Sequence, residues 1–188
     1  EQIAVRLQNT LTSFDSSEFL RITSGSEGFL FPDTYLIPAG ASPSAVLGIF
    51  LSNFSKKTLL SPTSSEAKGI VTLASLIERE AKADSERPII AGILTKRLSA
   101  NWPLQIDATV QYALNSKLCQ SVAISECDWW QPITDTKYPS VYNTYLHIGL
   151  PPGPISNPGL ASIESAKSPT SSAFWYYLHD AQRVLHPS

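Results

Sequence analysis

The stretch LASLIEREAKADSER, residues 73–87, carries two carboxylates two positions apart in an apolar helical run, Glu78 and Glu80. Residues two apart on a helix point nearly opposite ways, whereas those three, four and seven apart share a face. The two acids therefore meet different surroundings. Glu78 stands four before Lys82, the favourable orientation for a helical ion pair, and its other neighbours Ala74 and Ser75 are small. It reads as a solvated structural residue. Glu80 has Leu76, Ile77 and Leu73 behind it and Asp84 four ahead, with no basic partner at helical spacing within a turn. Apolar neighbours and a second carboxylate both raise a carboxyl's pKa. A carboxyl kept partly protonated near neutral pH is what a general acid requires. The competing reading is a rim glutamate that reaches past its leucines into water, with no chemistry to do.

A second polar cluster stands in VYNTYLHIGLPPGPISNPG, residues 141–159, where Tyr142, Asn143, Thr144 and Tyr145 precede a Pro-Pro-Gly-Pro turn. Such side chains hydrogen-bond sugars and stack on their apolar ring faces, and prolines with preset dihedrals hold the loop in place. The loop is expected to form one wall of a groove facing Glu80. The plainer reading makes its tyrosines core residues of a linker. LQIDATVQY, residues 104–112, adds Gln105 and Asp107, although capping alone accounts for Asp107. Cys119 and Cys127 lie eight positions apart, a spacing open to a disulfide in an oxidising compartment and equally to two free thiols. No further Cys and no paired His accompanies them, so no zinc site is expected.

The elements that must position these residues are mostly helical. EQIAVRLQNTL has Ile3, Ala4, Leu7 and Leu11 at helical spacing, and SSEFLRI follows with Ser16 or Ser17 as its cap. Residues 24–42 are rich in Gly, Ser and Pro and predict a loop with a short extended piece over 30–36. Ser42 caps a helix that opens with Pro43, and residues 66–83 form the apolar helix of the two glutamates. The next helix starts at Asp84 or Ser85, with Pro88 in its first turn. A short helix is capped by Asp107, and Asn157 caps one that opens with Pro158 and runs to about Lys167. SAFWYYLHDAQRVLH closes the chain as a hairpin. Helices with a few strands near the ends make the class α+β.

Composition sets the outer limits. A chain of 188 residues suits one domain and buries roughly 70% of its unfolded surface, so it needs neither disulfide nor metal to fold. A net charge of -2 without a basic stretch argues against nucleic acid. No run has the length of a membrane helix, and no signal peptide is visible. The opening EQIAVRL, without Met, is expected to be an internal start in a longer parent.

The chain resembles the catalytic domain of the YceG-like endolytic murein transglycosylases, the MltG proteins of bacteria. The resemblance spans nearly the whole sequence and rests on four blocks in order: EGFLFPDTYLIP, LASLIEREAKADSERPIIAGILTKRL, LQIDATVQYAL and YNTYLHIGLPPGPISNPGLASIESAKSP. It implies a mainly helical, lysozyme-like core in one domain over 1–188, with a helical lead-in over 1–24 and the catalytic core over 25–188. The second acid of the family's E-x-E pair is catalytic, which implies Glu80. Tyr142, Asn143, Thr144 and Tyr145 would line the saccharide groove, Gln105 and Asp107 would assist, and Glu27 would buttress the site. The implied reaction breaks the β-1,4 bond between N-acetylmuramic acid and N-acetylglucosamine and leaves a 1,6-anhydro end. No metal or cofactor is implied. Peptidoglycan strands are the expected partner and synthases a further one. The piece is expected to be a soluble monomer of a membrane-anchored parent that works outside the cytoplasmic membrane. Ala108 departs from the family's usual Pro, the tail stops at VLHPS, and the membrane helix and LysM-like subdomain are missing. A wall-binding module that holds glycan uncut, and a muramidase that uses water, are the competing readings.

Overall fold

The computed structural model describes residues 1–122, 126–129 and 131–188. Helices α1 (Gln2–Thr10), α2 (Ser16–Ile22) and α3 (Pro43–Thr58) lead into α4 (Ser65–Glu80), α5 (Arg87–Ser99), α6 (Asp107–Leu118) and α7 (Leu160–Lys167). A hairpin of β1 (Tyr177–His179) and β2 (Leu185–Pro187) closes the chain, so the fold is α+β as expected. No helix among the described residues is long and apolar enough to cross a membrane.

Local chemistry sets most helix ends. Ser42 and Ser64 cap α3 and α4 by accepting the amides of Ala45 and Ala67. α2 is capped by Asp15, which takes the Glu18 amide at 2.9 Å, rather than by Ser16 or Ser17. Its carboxylate also suits the positive end of the helix dipole. Two other expected caps are not made. Asp107 is the first residue of α6 and does not cap it, and α7 starts at Leu160 with Gly159 in the cap position. Asn157 reaches back instead, and its side-chain oxygen accepts the amides of Gly28 and Leu30 at 2.9 Å each. The extended piece expected over 30–36 joins no sheet, because its neighbours are side chains and not a strand edge.

α4 ends three residues earlier than its apolar pattern suggests. Were it to continue, the Lys82 amide would bond the Glu78 carbonyl. Glu86 takes that amide at 2.7 Å and the Ala83 amide at 3.2 Å, and Ala81 leaves the helix with extended dihedrals. A short 3₁₀ turn, Asp84–Glu86, then leads into α5.

Three apolar clusters form the interior. Leu73, Leu76 and Ile77 of α4 pack against Ile90, Ala91 and Leu94 of α5, with Leu104, Ile106 and Ile155 closing over them. Val71 and Ala74, on the other side of α4, meet Phe29, Phe54 and Ile163. Ala4, Phe14, Phe19, Val46 and Phe50 join the first three helices. α4 is thus continuously buried from Val71 to Ile77, and its last three residues emerge half-buried from the core. Gly92 lets the chain before the hairpin pass closely, since a Cβ there would collide with the Thr170 carbonyl. Cys119 and Cys127 are joined by a disulfide, with Cα atoms 5.3 Å apart.

Candidate active site

Glu80 is the last residue of α4, at the negative end of the helix dipole, where a carboxylate is disfavoured. Its side chain is half-buried, and its Oε2 accepts the Tyr177 hydroxyl at 3.1 Å. Burial pushes the Glu80 carboxyl above the usual range and the nearby Asp107 adds to this, while the Tyr177 hydrogen bond, Lys82 and His179 oppose it. The carboxylate neighbour differs from the one expected from helical spacing. Asp84 is 86% exposed and pairs with Arg87 at 2.8 Å, because the chain has already turned away. The like charge that acts on Glu80 is Asp107.

Tyr145 links the loop wall to this group, its hydroxyl donating to Asp107 Oδ1 at 2.5 Å. Burial pushes the Tyr145 hydroxyl up, and Asp107 and Glu80 push it further. Gln105, exposed and in the left-handed region at φ 55°, turns the chain into α6. Asn143 and Thr144 lie behind the wall rather than on it. Asn143 is 0% exposed, its amide donating to the carbonyls of Thr136 at 2.9 Å and Tyr138 at 2.8 Å. Its Oδ1 accepts the Tyr145 amide at 2.9 Å. The buried Thr144 hydroxyl accepts the Ile106 amide at 2.9 Å and meets the Thr109 hydroxyl at 3.0 Å, which fixes the loop to the start of α6. Both polar side chains are consumed in holding the loop, so the wall they build presents Tyr145. Tyr142 packs on the core and stacks with Tyr112, ring centroids 5.1 Å apart.

Glu27 sits apart from Glu80. Burial pushes its carboxyl up, and its Oε1 accepts the Asn157 amide at 3.1 Å. It lines a cleft of about 700 Å³ with Arg79, Tyr112, Trp129 and Asn157, and Glu80 is not among the lining residues. Arg79 and Ala108 do line it, so the chain neighbours of Glu80 and Asp107 face this cleft. It adjoins the acidic group without containing it.

Glu78 is half-buried and paired with groups across the chain rather than with Lys82. Its Oε2 accepts the Ser162 hydroxyl at 2.6 Å and the Gly159 amide at 3.2 Å, and Arg87 lies 3.3 Å from its Oε1. Its carboxylate stands at the start of α7, where it suits the positive end of the helix dipole. Sequence reasoning missed Tyr177 and His179. Strand alternation sends residues two apart to one face, and this signal was present in WYYLHD. No group of acidic, His and Cys residues among those described suits a metal ion.

Tyr177→Phe is a direct probe of the pocket. The phenol favours the ionised carboxyl, so its loss is expected to move the Glu80 titration upward while ring packing persists. Carbon-13 titration of the labelled Glu80 carboxyl measures this, and an unmoved or lowered midpoint would contradict it.

Comparison with known proteins places the arrangement in a family. The chain is 35% identical over 161 residues to an endolytic murein transglycosylase of Streptococcus pneumoniae strain D39, covering 82% of this chain and 28% of that protein. It is 34% identical over 161 residues to an endolytic murein transglycosylase of Bacillus subtilis, covering 81% of this chain and 41% of that protein. The chain therefore spans less than half the length of these relatives. In fold it matches the crystal structure of a putative yceG-like protein from Listeria monocytogenes with a TM-score of 0.78 at 25% identity, over 100% of this chain and 69% of that one. The model of the YceG-like family matches residues 1–186, and the chain belongs to that family.

Proposed function

We infer that this chain is the catalytic domain of an endolytic peptidoglycan lytic transglycosylase with Glu80 as its single acid and base. The observation that carries the reading is the Glu80 carboxyl at the end of α4, held above its usual titration range and touched by one phenol. The relatives named endolytic murein transglycosylase support the substrate class. Glu80 protonates the leaving glycosidic oxygen, and as charge builds on the muramyl C1 the sugar's own 6-hydroxyl attacks there. The resulting carboxylate takes the proton of that hydroxyl, which returns Glu80 to its starting state and closes the 1,6-anhydro ring. Most glycosidases use two carboxyl groups, one as acid and one as nucleophile or base. Intramolecular attack makes the second dispensable, because the nucleophile is already held beside the reacting carbon.

In this reading Tyr145 and Asp107 form the wall facing Glu80, Gln105 stands at the rim, and the cleft of Glu27 and Tyr112 receives more of the strand. The parent is anchored on the outer face of the bacterial cytoplasmic membrane and works beside peptidoglycan synthases. One observation favours a second reading. Asp107 lies near enough to act on Glu80 electrostatically and would serve as base in a muramidase that uses water. Mass spectrometry of fragments released from purified peptidoglycan separates the two. Anhydro ends, one water lighter than hydrolysed ends, are expected; hydrolysed ends alone would reject the lytic mechanism. Glycan that is bound and left uncut would point to a wall-binding module.

A further inference from the structure

Glu86 is 8% exposed and lies six residues beyond Glu80, past the turn that ends α4. One of its oxygens, Oε2, accepts the amides of Lys82 and Ala83 and lies 3.1 Å from His179 Nε2. Burial works against the Glu86 charge, but the Lys82 amide, the His179 ring and the Ala83 amide outweigh it and hold the carboxyl below its usual range. An ionised carboxyl offers no proton, so Nε2 carries the hydrogen in this contact. His179 and Tyr177 stand two apart on β1 and share a face, whereas Leu178 between them points away and is 58% exposed. The hairpin thus reaches the end of α4 at two points, through Tyr177 to Glu80 and through His179 to Glu86. Its approach is fixed elsewhere by Arg97, which donates to the Trp175 carbonyl at 2.7 Å, and by β2, where Leu185 pairs with His179.

We propose that Glu86 and His179 are positioning residues for Glu80: their contact latches the hairpin across the end of α4, seats Tyr177 on the carboxyl and keeps water from it. Glu86 acts on both sides of the contact. It shapes the 81–83 turn that lets α4 end at Glu80, and it holds the strand that covers Glu80. Four groups and burial then set the ionisation of Glu80: Tyr177 and His179 from β1, Lys82 from the turn and Asp107 from α6. The effect on turnover rests on Glu80 being the proton donor of the preceding section; the latch itself does not.

The test uses this chain with carbon-13-labelled glutamate, in wild type, His179→Ala, Glu86→Gln and the double variant, with circular dichroism to confirm the fold. Where His179→Ala fails to fold, His179→Gln replaces it. The latch and a purely electrostatic role for His179 predict opposite signs. If His179 only supplies positive potential, its removal raises the Glu80 midpoint. If it holds the hairpin down, its removal also lifts Tyr177 and admits water; the burial relieved is the largest cause of the shift and outweighs the lost phenol and imidazole, so the midpoint falls toward the ordinary glutamate range. A lowered midpoint is expected in both single variants, and no further lowering in the double, since both remove one contact. On purified glycan strands, kcat is expected to fall about tenfold, the loss of one hydrogen bond to a charged group, with KM little changed. A midpoint that rises or stays put, or an unchanged kcat, overturns the proposal. A wild type that cleaves nothing would sink the enzymatic reading, and the titration, which needs no substrate, would still decide the latch.

Discussion

Glu80→Gln is expected to abolish cleavage of purified sacculi, with a rate loss of about 10²- to 10⁴-fold, the usual worth of a general acid. The amide keeps the shape of the carboxyl and a partner for the Tyr177 hydroxyl, but it has no proton to give at the leaving oxygen and cannot accept one afterwards. Stability should move the other way. Burial raises the Glu80 pKa in the fold above its unfolded value, so the folded chain binds more protons and its stability falls as pH rises through that interval. At neutral pH the wild type carries this cost and the Gln variant does not. Its melting temperature is therefore expected to equal or exceed that of the wild type at pH 7. Release of anhydro-muropeptides followed by mass spectrometry, with melting curves on the same samples, checks both halves. A Gln variant as active as the wild type would remove Glu80 from the chemistry.

Much of this candidate site was legible because local rules singled out Glu80. Helical spacing separated Glu80 from Glu78, and the same spacing put Leu76 and Ile77 behind Glu80, where burial does raise its pKa. The errors came where a side chain reaches across the chain rather than along it. Helical spacing offered Asp84 as the nearby acid, but Glu86 ends the helix at residue 80 by taking the amides that would have continued it, and that contact depends on the fold of the turn. Pairing rules offered Lys82 to Glu78, yet Ser162, 84 positions on, takes that carboxyl. Capping rules likewise favoured Asn157 for α7, when its better partners were the amides of Gly28 and Leu30, about 130 residues back. The cap of α3 by Ser42, followed directly by Pro43 and an apolar stripe, was read correctly, because both partners are within three residues.

Asn143→Ala is expected to destabilise the protein by about 3 kcal/mol, since buried donors and acceptors left without partners cost about 1–3 kcal/mol each. Composition placed Asn143 on the sugar-facing side of its loop, where its loss would weaken binding and leave the fold alone. In the structure its amide holds the carbonyls of Thr136 and Tyr138 and the amide of Tyr145. Alanine removes the three bonds that hold these part-buried groups and opens a small cavity where Asn143 is wholly buried. For a chain of this length the expected change corresponds to a fall in melting temperature of roughly 6–12 °C. Function should suffer as a consequence of the loop, not of a lost contact. Tyr145 hangs from the Asn143 side chain by its amide and from Asp107 by its hydroxyl, so a loosened loop releases both bonds. Asn143→Asp keeps the acceptor for Tyr145 but loses the two donors, and it is expected to fall between wild type and alanine in stability. Thermal unfolding of the three proteins, read beside their activity at a temperature well below every midpoint, separates the two roles. An alanine variant with a wild-type melting temperature and weakened glycan affinity would return Asn143 to the binding surface.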